Sequence, residues 1–277
     1  MKKVRWFYFL LCFGQLFCLS MDALAQNQSV SNQIRTLIEG DSTYFNIVFD
    51  RYPLHSRTEL ISFYSDRAFQ PGWSKDGQLT CNALELRHLI QNASFDGLLP
   101  EDYQLDGLNI FFEKYFSGIP LTPLDLAKVD FLLSDAFTLY ANHIFRGKVH
   151  PEHLHSTWEI LQKGKEPKVL EKLYLAVSEG NVKKQLFSLQ PKFEIYLRMR
   201  QSMKKYLELD KKYSGKNWKE ISVNEPIELL QKSEEIQNIR KRLQFWKDLK
   251  PYPMLPGTEN IFDSVLYQGV KSFQERN

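Results

Sequence analysis

From Thr122 to Arg146, apolar side chains recur at steps of three and four, at Leu126, Val129, Leu133, Ala136, Tyr140 and Ile144. That spacing places them on one helical face. Phe131, Leu132, Phe137 and Leu139 extend the apolar surface around much of the remaining circumference. A helix that is apolar nearly all round is buried, so this stretch is expected to be the central helix of its domain. Its ends carry signals of their own. Thr122 is a good N-cap, Pro123 suits the first helical position, and Asp125 completes a T-x-x-D capping pattern. Gly147 is expected to close the helix as a left-handed cap.

Other helices gather around it by similar signs. Ser56 and Glu59 open one carrying Leu60, Phe63 and Tyr64, expected to stop at Pro71-Gly72. Thr80 opens another, with Leu86, Leu89, Ile90 and Ala93 on one face and an end at Asp96-Gly97. Val169, Leu173 and Val177 mark a short helix closed by Gly180-Asn181. Pro191 begins a long one, on which Phe193, Tyr196, Leu197, Met203, Tyr206 and Leu207 are expected to face inward, before Gly215. Strict period-two alternation is absent between residues 56 and 215, so the fold class is mostly α, a helical domain around a buried central helix at about 122–146. Asp96-Gly97 predicts a tight turn, Pro100 a single helical turn that buries Tyr103, and Pro71-Gly72 a reversal that folds Trp73 back.

After Gly215 the character changes. Trp218 to Val223 is a short extended segment, an amphipathic helix spans about Ser233 to Lys247, and a link rich in proline follows (Pro251, Pro253, Pro256). The last periodic stretch, Phe262, Leu266, Val270 and Phe273, stops at Asn277 with no sequence left to cover its stripe. A helix this short is marginal alone. The second domain is therefore expected to be an incomplete small helical module, truncated, with residues past about 257 open to hydrogen exchange. No 34- or 40-residue repeat is present, which excludes a helical solenoid.

The amino terminus adds a different grammar. Lys2, Lys3 and Arg5 precede an apolar run from Trp6 to Ser20, and Ala23-Leu24-Ala25 supplies small residues for cleavage. Together these predict a secretory signal peptide over residues 1–25, cut after Ala25, and hence an exported, periplasmic protein. The run covers only 15 residues and contains Gly14 and Gln15, whereas a spanning helix needs about 20. Contact with a membrane is expected only through an uncleaved leader. Leu16-Phe17 before Cys18 argues against a lipidated cysteine.

Composition narrows the function classes. The chain has 36 Lys+Arg against 33 Asp+Glu, with 43% hydrophobic residues, a globular balance. Removing the leader takes away a net +2 and leaves +1 over 252 residues, with no global pull toward nucleic acid. It also takes Cys12 and Cys18, so only Cys81 remains and no internal disulfide can form. Cys81 lies at the start of a predicted helix, which can lower a thiol pKa, yet no histidine or arginine motif surrounds it; it is expected to be a buried or half-buried structural residue.

Three other groups bear on chemistry. His150, Glu152, His153 and His155 could ligate zinc, but Pro151 stiffens the loop and no helical i, i+4 pair exists, so a polar loop is expected. Glu101-Asp102 is expected to complement the amino end of its short helix. Arg198, Arg200, Lys204 and Lys205, and Arg240, Lys241 and Arg242, are expected to form solvated faces. The sequence singles out no catalytic residue, no metal ligand and no cofactor ligand.

Several phrases together resemble the N-terminal scaffold region of the large periplasmic murein L,D-transpeptidases. They are Phe63-Tyr64 through Phe69-Gln70-Pro71-Gly72-Trp73, then Asp96-Gly97-Leu98-Leu99-Pro100-Glu101-Asp102-Tyr103, and the central helix leading to Gly147-Lys148-Val149, Pro151 and Trp158. Leu189-Gln190-Pro191 with Tyr196 and Leu197 also fits, and Gly269 to Asn277 is similar to a helix of a peptidoglycan-binding module. The resemblance covers about residues 55 to 277 and implies four segments: signal peptide 1–25, lead-in 26–54, helical scaffold 55–215, and a partial peptidoglycan-binding module 216–277. It implies a role in holding or presenting murein, with peptidoglycan as partner. Members of that family use a cysteine thiolate activated by histidine within a Ser-His-Gly-Cys-x-Arg motif. This sequence has no His-Gly pair. It is therefore expected to be an inactive, truncated relative; the alternative is a stand-alone exported helical adaptor without catalysis. Oligomeric state is not legible.

Overall fold

The computed structural model describes residues 26–40, 42–49, 51–149, 168–213, 218–223 and 225–276. The expected leader, the His150–His155 group, Trp158 and Gly215 lie outside the described residues. The chain is mostly α, as its patterning predicts. It divides into two compact units, Met1–Met203 and Lys204–Asn277.

In the first unit, α1 (residues 26–39) and α2 (Ser42–Val48) precede α3 (Arg57–Asp66), the short strands β1 (Ser74–Lys75) and β2 (Gln78–Leu79), and α4 (Cys81–Gln91). Two 3-10 turns, Ala93–Asp96 and Pro100–Tyr103, lead to α5 (Leu105–Phe116) and α6 (Pro123–Arg146). Then come α7 (Val169–Glu179), α8 (Val182–Phe187) and α9 (Glu194–Tyr213), which runs past Met203.

The central helix is where the periodicity puts it. Thr122 Oγ1 accepts from Asp125 N, and Asp125 Oδ2 accepts from Thr122 N, so both halves of the capping box form. α3, α4, α5 and α7 pack on α6, whose buried residues occupy every side of the helix. The lead-in joins the same core: Val30, Ile34 and Leu37 of α1 are buried there, and the Phe45 and Phe49 rings lie 5.9 and 5.6 Å from that of Phe131. At the far end the expectation needs correction. Gly147 has φ 87° and ψ 155°, positive but extended, a region open essentially to glycine and not the left-handed cap.

Further endings differ from expectation. Ser56 makes no side-chain cap to α3; Asp135 of α6 instead holds the approach to the helix, its Oδ1 accepting from His55 N at 2.9 Å and Ser56 N at 2.6 Å. α3 stops at Asp66, before Pro71-Gly72, because Ala68 and Phe69 turn the chain with φ of 52° and 63°. Phe69 N donates to Tyr64 O, and the Arg35 guanidinium lies 4.7 Å over the Phe69 ring, which holds this costly conformation in place. Beyond it, Trp73 is fully buried, as the reversal predicts. Asp76-Gly77, both at positive φ, turns β1 into β2, and Asp76 exchanges hydrogen bonds with the Asn27 side chain. The helix opened by Thr80 ends at Gln91 and not at Asp96-Gly97, where a separate 3-10 turn over Ala93–Asp96 closes on Gly97; that turn and the single turn burying Tyr103 form as predicted.

α9 is the clearest departure. Phe193, Leu197, Met203 and Tyr206, expected to face inward, are 70%, 48%, 37% and 41% exposed. Its first half is attached instead through Tyr196 and Arg200, both bonded to Asp96. Amphipathic spacing shows that a stripe exists, not what covers it.

In the second unit, α10 (Ile236–Trp246) packs on α11 (Ser264–Arg276). Residues 218–223 form no strand, while Lys232 and Ile261 make an isolated antiparallel bridge. The stripe on the last helix, expected to lie uncovered, is covered in part: Leu266 is fully buried with Ile236, Leu243 and Leu249, and Phe262 and Val270 pack against them, while Phe273 stays exposed as expected. The prolines at 251–256 let the chain return, and Gly269 admits Leu249, whose Cδ1 would lie 3.1 Å from any Cβ there. The unit therefore has a small core of its own.

Candidate functional site

Three buried carboxylates organise the first unit. Asp130, on α6, accepts from Gly72 N at 2.5 Å, Trp73 N at 3.1 Å, Ser74 Oγ at 3.1 Å and Tyr64 Oη at 3.3 Å. Ser134, one turn on, takes Trp73 Nε1 at 2.8 Å and meets Tyr64 Oη at 2.9 Å. Burial pushes the Asp130 carboxyl up to about 6, against the pull of its amide donors; burial also raises Asp135. Asp96 is the second hub, accepting from Tyr140 Oη, Tyr196 Oη, Gln190 Nε2 and Arg200 Nε. Burial lifts the phenols of Tyr140 and Tyr196, and their bonds to Asp96 lift them further. These hubs fix turns and helix ends. Their bonds tie distant segments to α6 and to the 93–96 turn, while Asp135 Oδ2 is buried without a hydrogen-bond partner among the described residues.

The thiol is placed differently from expectation. Cys81 is exposed, not buried. As the first residue of α4 it stands about 200° of helical rotation from Ala83, which takes the core face. Glu101 and Asp102 lie in the first turn of their short helix, as expected, and Asp102 gains an ion pair with Lys148 at 2.5 Å. The basic groups divide. Arg198, Lys204, Lys205 and Lys241 are exposed, but Arg200 is paired with Asp96, and Arg240 is 4% exposed, donating to Ile261 O and Asp263. Among the described residues no cluster of His, Cys, Asp or Glu could hold a metal ion, and no helix is long and apolar enough to cross a membrane.

Among the described residues, clefts with room for a ligand include two of note. One, about 490 Å³, lies at the end of α6 and the start of α7, lined by Glu59, His143, Arg146, Lys148 and Lys168 among others. The other, about 660 Å³, lies within the second unit. Its walls are aromatic: Trp218, Phe245, Trp246 and Tyr206, with Leu209 beneath and Asp210, Glu220 and Arg242 at the rim. The rings are held in a tilted array, Trp218 to Phe245 at 5.4 Å, Phe245 to Trp246 at 5.5 Å, and Trp246 to Tyr206 at 6.0 Å. Arg276 donates to Tyr206 Oη at 3.3 Å while gripping Asp248 through two bonds at 2.8 and 3.0 Å. Arg242 lies 5.8 Å over the Trp218 ring and donates to the Lys219 carbonyl. Sequence reading missed this cleft, since Trp218 and Phe245-Trp246 are far apart in the chain and neither carries a motif.

Comparison with known proteins fits the architecture. Residues 58–203, just over half of the chain, match the family described as the Scaffold domain. That match includes nearly all of α3 through the first half of α9, with Asp130 and Asp135 on α6 and Asp96 in the 93–96 turn. No curated protein and no solved structure matches the chain. The chain therefore belongs to the Scaffold-domain family, the N-terminal scaffold of the L,D-transpeptidases.

Proposed function

We propose that this protein is an exported, murein-associated scaffold that binds peptidoglycan and holds it for cross-linking chemistry carried by residues outside this sequence. The single observation that carries the reading is the family match over residues 58–203. The helical frame fits a holding role. Bonds to Asp96, Asp130 and Asp135 fasten its turns, and the sequence has no His-Gly pair from which to build the family's thiolate motif. The basic run, apolar stretch and Ala23-Leu24-Ala25 support export to the periplasm, where murein lies.

Co-sedimentation tests the reading. The purified chain from Gln26 onward, mixed with washed murein sacculi, is expected to pellet with them and to be released by soluble murein fragments. A chain that stays in the supernatant at all protein concentrations contradicts it.

A further inference from the structure

We infer that the aromatic cleft of the second unit is a saccharide subsite, which takes neutral N-acetylated sugar units of a glycan strand and not the anionic peptides attached to it. The inference deepens the murein-binding reading and rests on it for the identity of the glycan. The cleft itself supplies the argument about ligand chemistry.

Aromatic faces set on edge around a concave space offer apolar surface with a partial negative charge on each face. The C–H faces of a pyranose ring match such walls, while its hydroxyl and acetamide groups need donors and acceptors at the edge. Trp218, Trp246 and Tyr206 provide the walls; Asp210, Glu220 and Arg242 provide the edge. A few polar groups converging on an apolar pocket are the usual means of fixing a ligand's orientation.

The charges then discriminate between ligand classes. The rim holds two carboxylates and one guanidinium, a formal −1, so a stem peptide rich in carboxylates is repelled. A cationic ligand fares no better beside Trp218, because the Arg242 guanidinium, 5.8 Å from the centre of that ring, repels a second positive charge. A neutral polyol, able both to donate to Asp210 and Glu220 and to accept from Arg242, suits all three. The cleft is also braced before any ligand arrives: Tyr206 is held by Arg276, itself clamped on Asp248, and Arg242 is tied to the Lys219 carbonyl. Little ordering remains to oppose binding.

Titration calorimetry with a short β-linked N-acetylglucosamine oligomer tests this on the chain from Gln26 onward. Saturable binding is expected, weakened about 30-fold or more by Trp218→Ala, the loss typical of truncating a central aromatic anchor. Asp210 and Glu220 are exposed, so D210N and E220Q leave the packing intact; each is expected to weaken binding about tenfold. Absence of heat with the oligomer, binding unchanged in both W218A and E220Q, or preference for a free stem peptide overturns the inference. Sacculus binding by a chain that ignores the oligomer would sink the cleft assignment and leave the murein reading standing. Oligomer binding without sacculus binding would do the reverse.

Discussion

Replacing Asp130 by alanine is expected to loosen the first unit around Trp73. The carboxylate accepts two backbone amides, Gly72 N and Trp73 N, and both are buried. Alanine leaves them without an acceptor, along with the Ser74 hydroxyl and one of the two bonds of Tyr64 Oη. An orphaned buried donor costs about 1–3 kcal/mol, so the two amides and the Ser74 hydroxyl together suggest about 6 kcal/mol. About 3 kcal/mol of this is offset at neutral pH, because the variant no longer has to bury a charge whose desolvation is visible in the raised carboxyl pKa. A net loss of about 3 kcal/mol at pH 7 follows, lowering the melting temperature by about 6–12 °C at the 2–4 °C per kcal/mol typical of a unit this size. Urea unfolding followed by tryptophan fluorescence reads both the midpoint and the environment of Trp73. A midpoint corresponding to less than about 1 kcal/mol of change, with Trp73 still shielded, would refute the view that Asp130 fastens the 72–74 turn.

Three more predictions follow from the same structure. Asp130 has a folded pKa of about 6, raised from 3.8, so the native state holds its proton more tightly than the unfolded chain does. Its contribution is full below about pH 4 and is lost as pH rises through about 6, a change of about 3 kcal/mol; denaturant midpoints from pH 4 to 7 should show this fall in wild type and a flatter profile in D130N. Arg200→Ala removes the cation from Asp96, a carboxylate 2% exposed, and is expected to cost about 2 kcal/mol; hydrogen exchange over residues 194–203 should quicken, and unchanged rates would count against the latch. Leu266→Ala empties the centre of the small core shared with Ile236, Leu243 and Leu249. It should cost about 2–5 kcal/mol and abolish the exchange protection that the wild type is expected to show across Ser264–Arg276.

What the sequence made legible were features that local chemistry decides. The capping box at Thr122 and Asp125, the helix start at Thr80, and the glycine turn at Gly97 each depend on a few neighbouring residues. The Asp76-Gly77 hairpin went unread, because strands of two residues are too short to show alternation. Features that depend on distant partners were hidden. Asp130, Ser134 and Asp135 are polar residues in a helix, and only the arrival of the 55–56 and 72–74 segments explains their burial. For the same reason the stripe on α9 read as buried and the stripe on α11 as bare, the reverse of what packing provides for Phe193 and Leu266. The aromatic cleft brings Tyr206, Trp218 and Trp246 together from three segments without any shared motif.

The central claim is that this chain grips murein without reacting with it. Muropeptide analysis of sacculi after incubation with the purified chain, followed by washing, glycan digestion and mass spectrometry, tests it most directly. The account predicts protein retained on the washed sacculi and a cross-link profile identical to that of untreated murein. New cross-links, or a stem peptide joined covalently to Cys81, would contradict it.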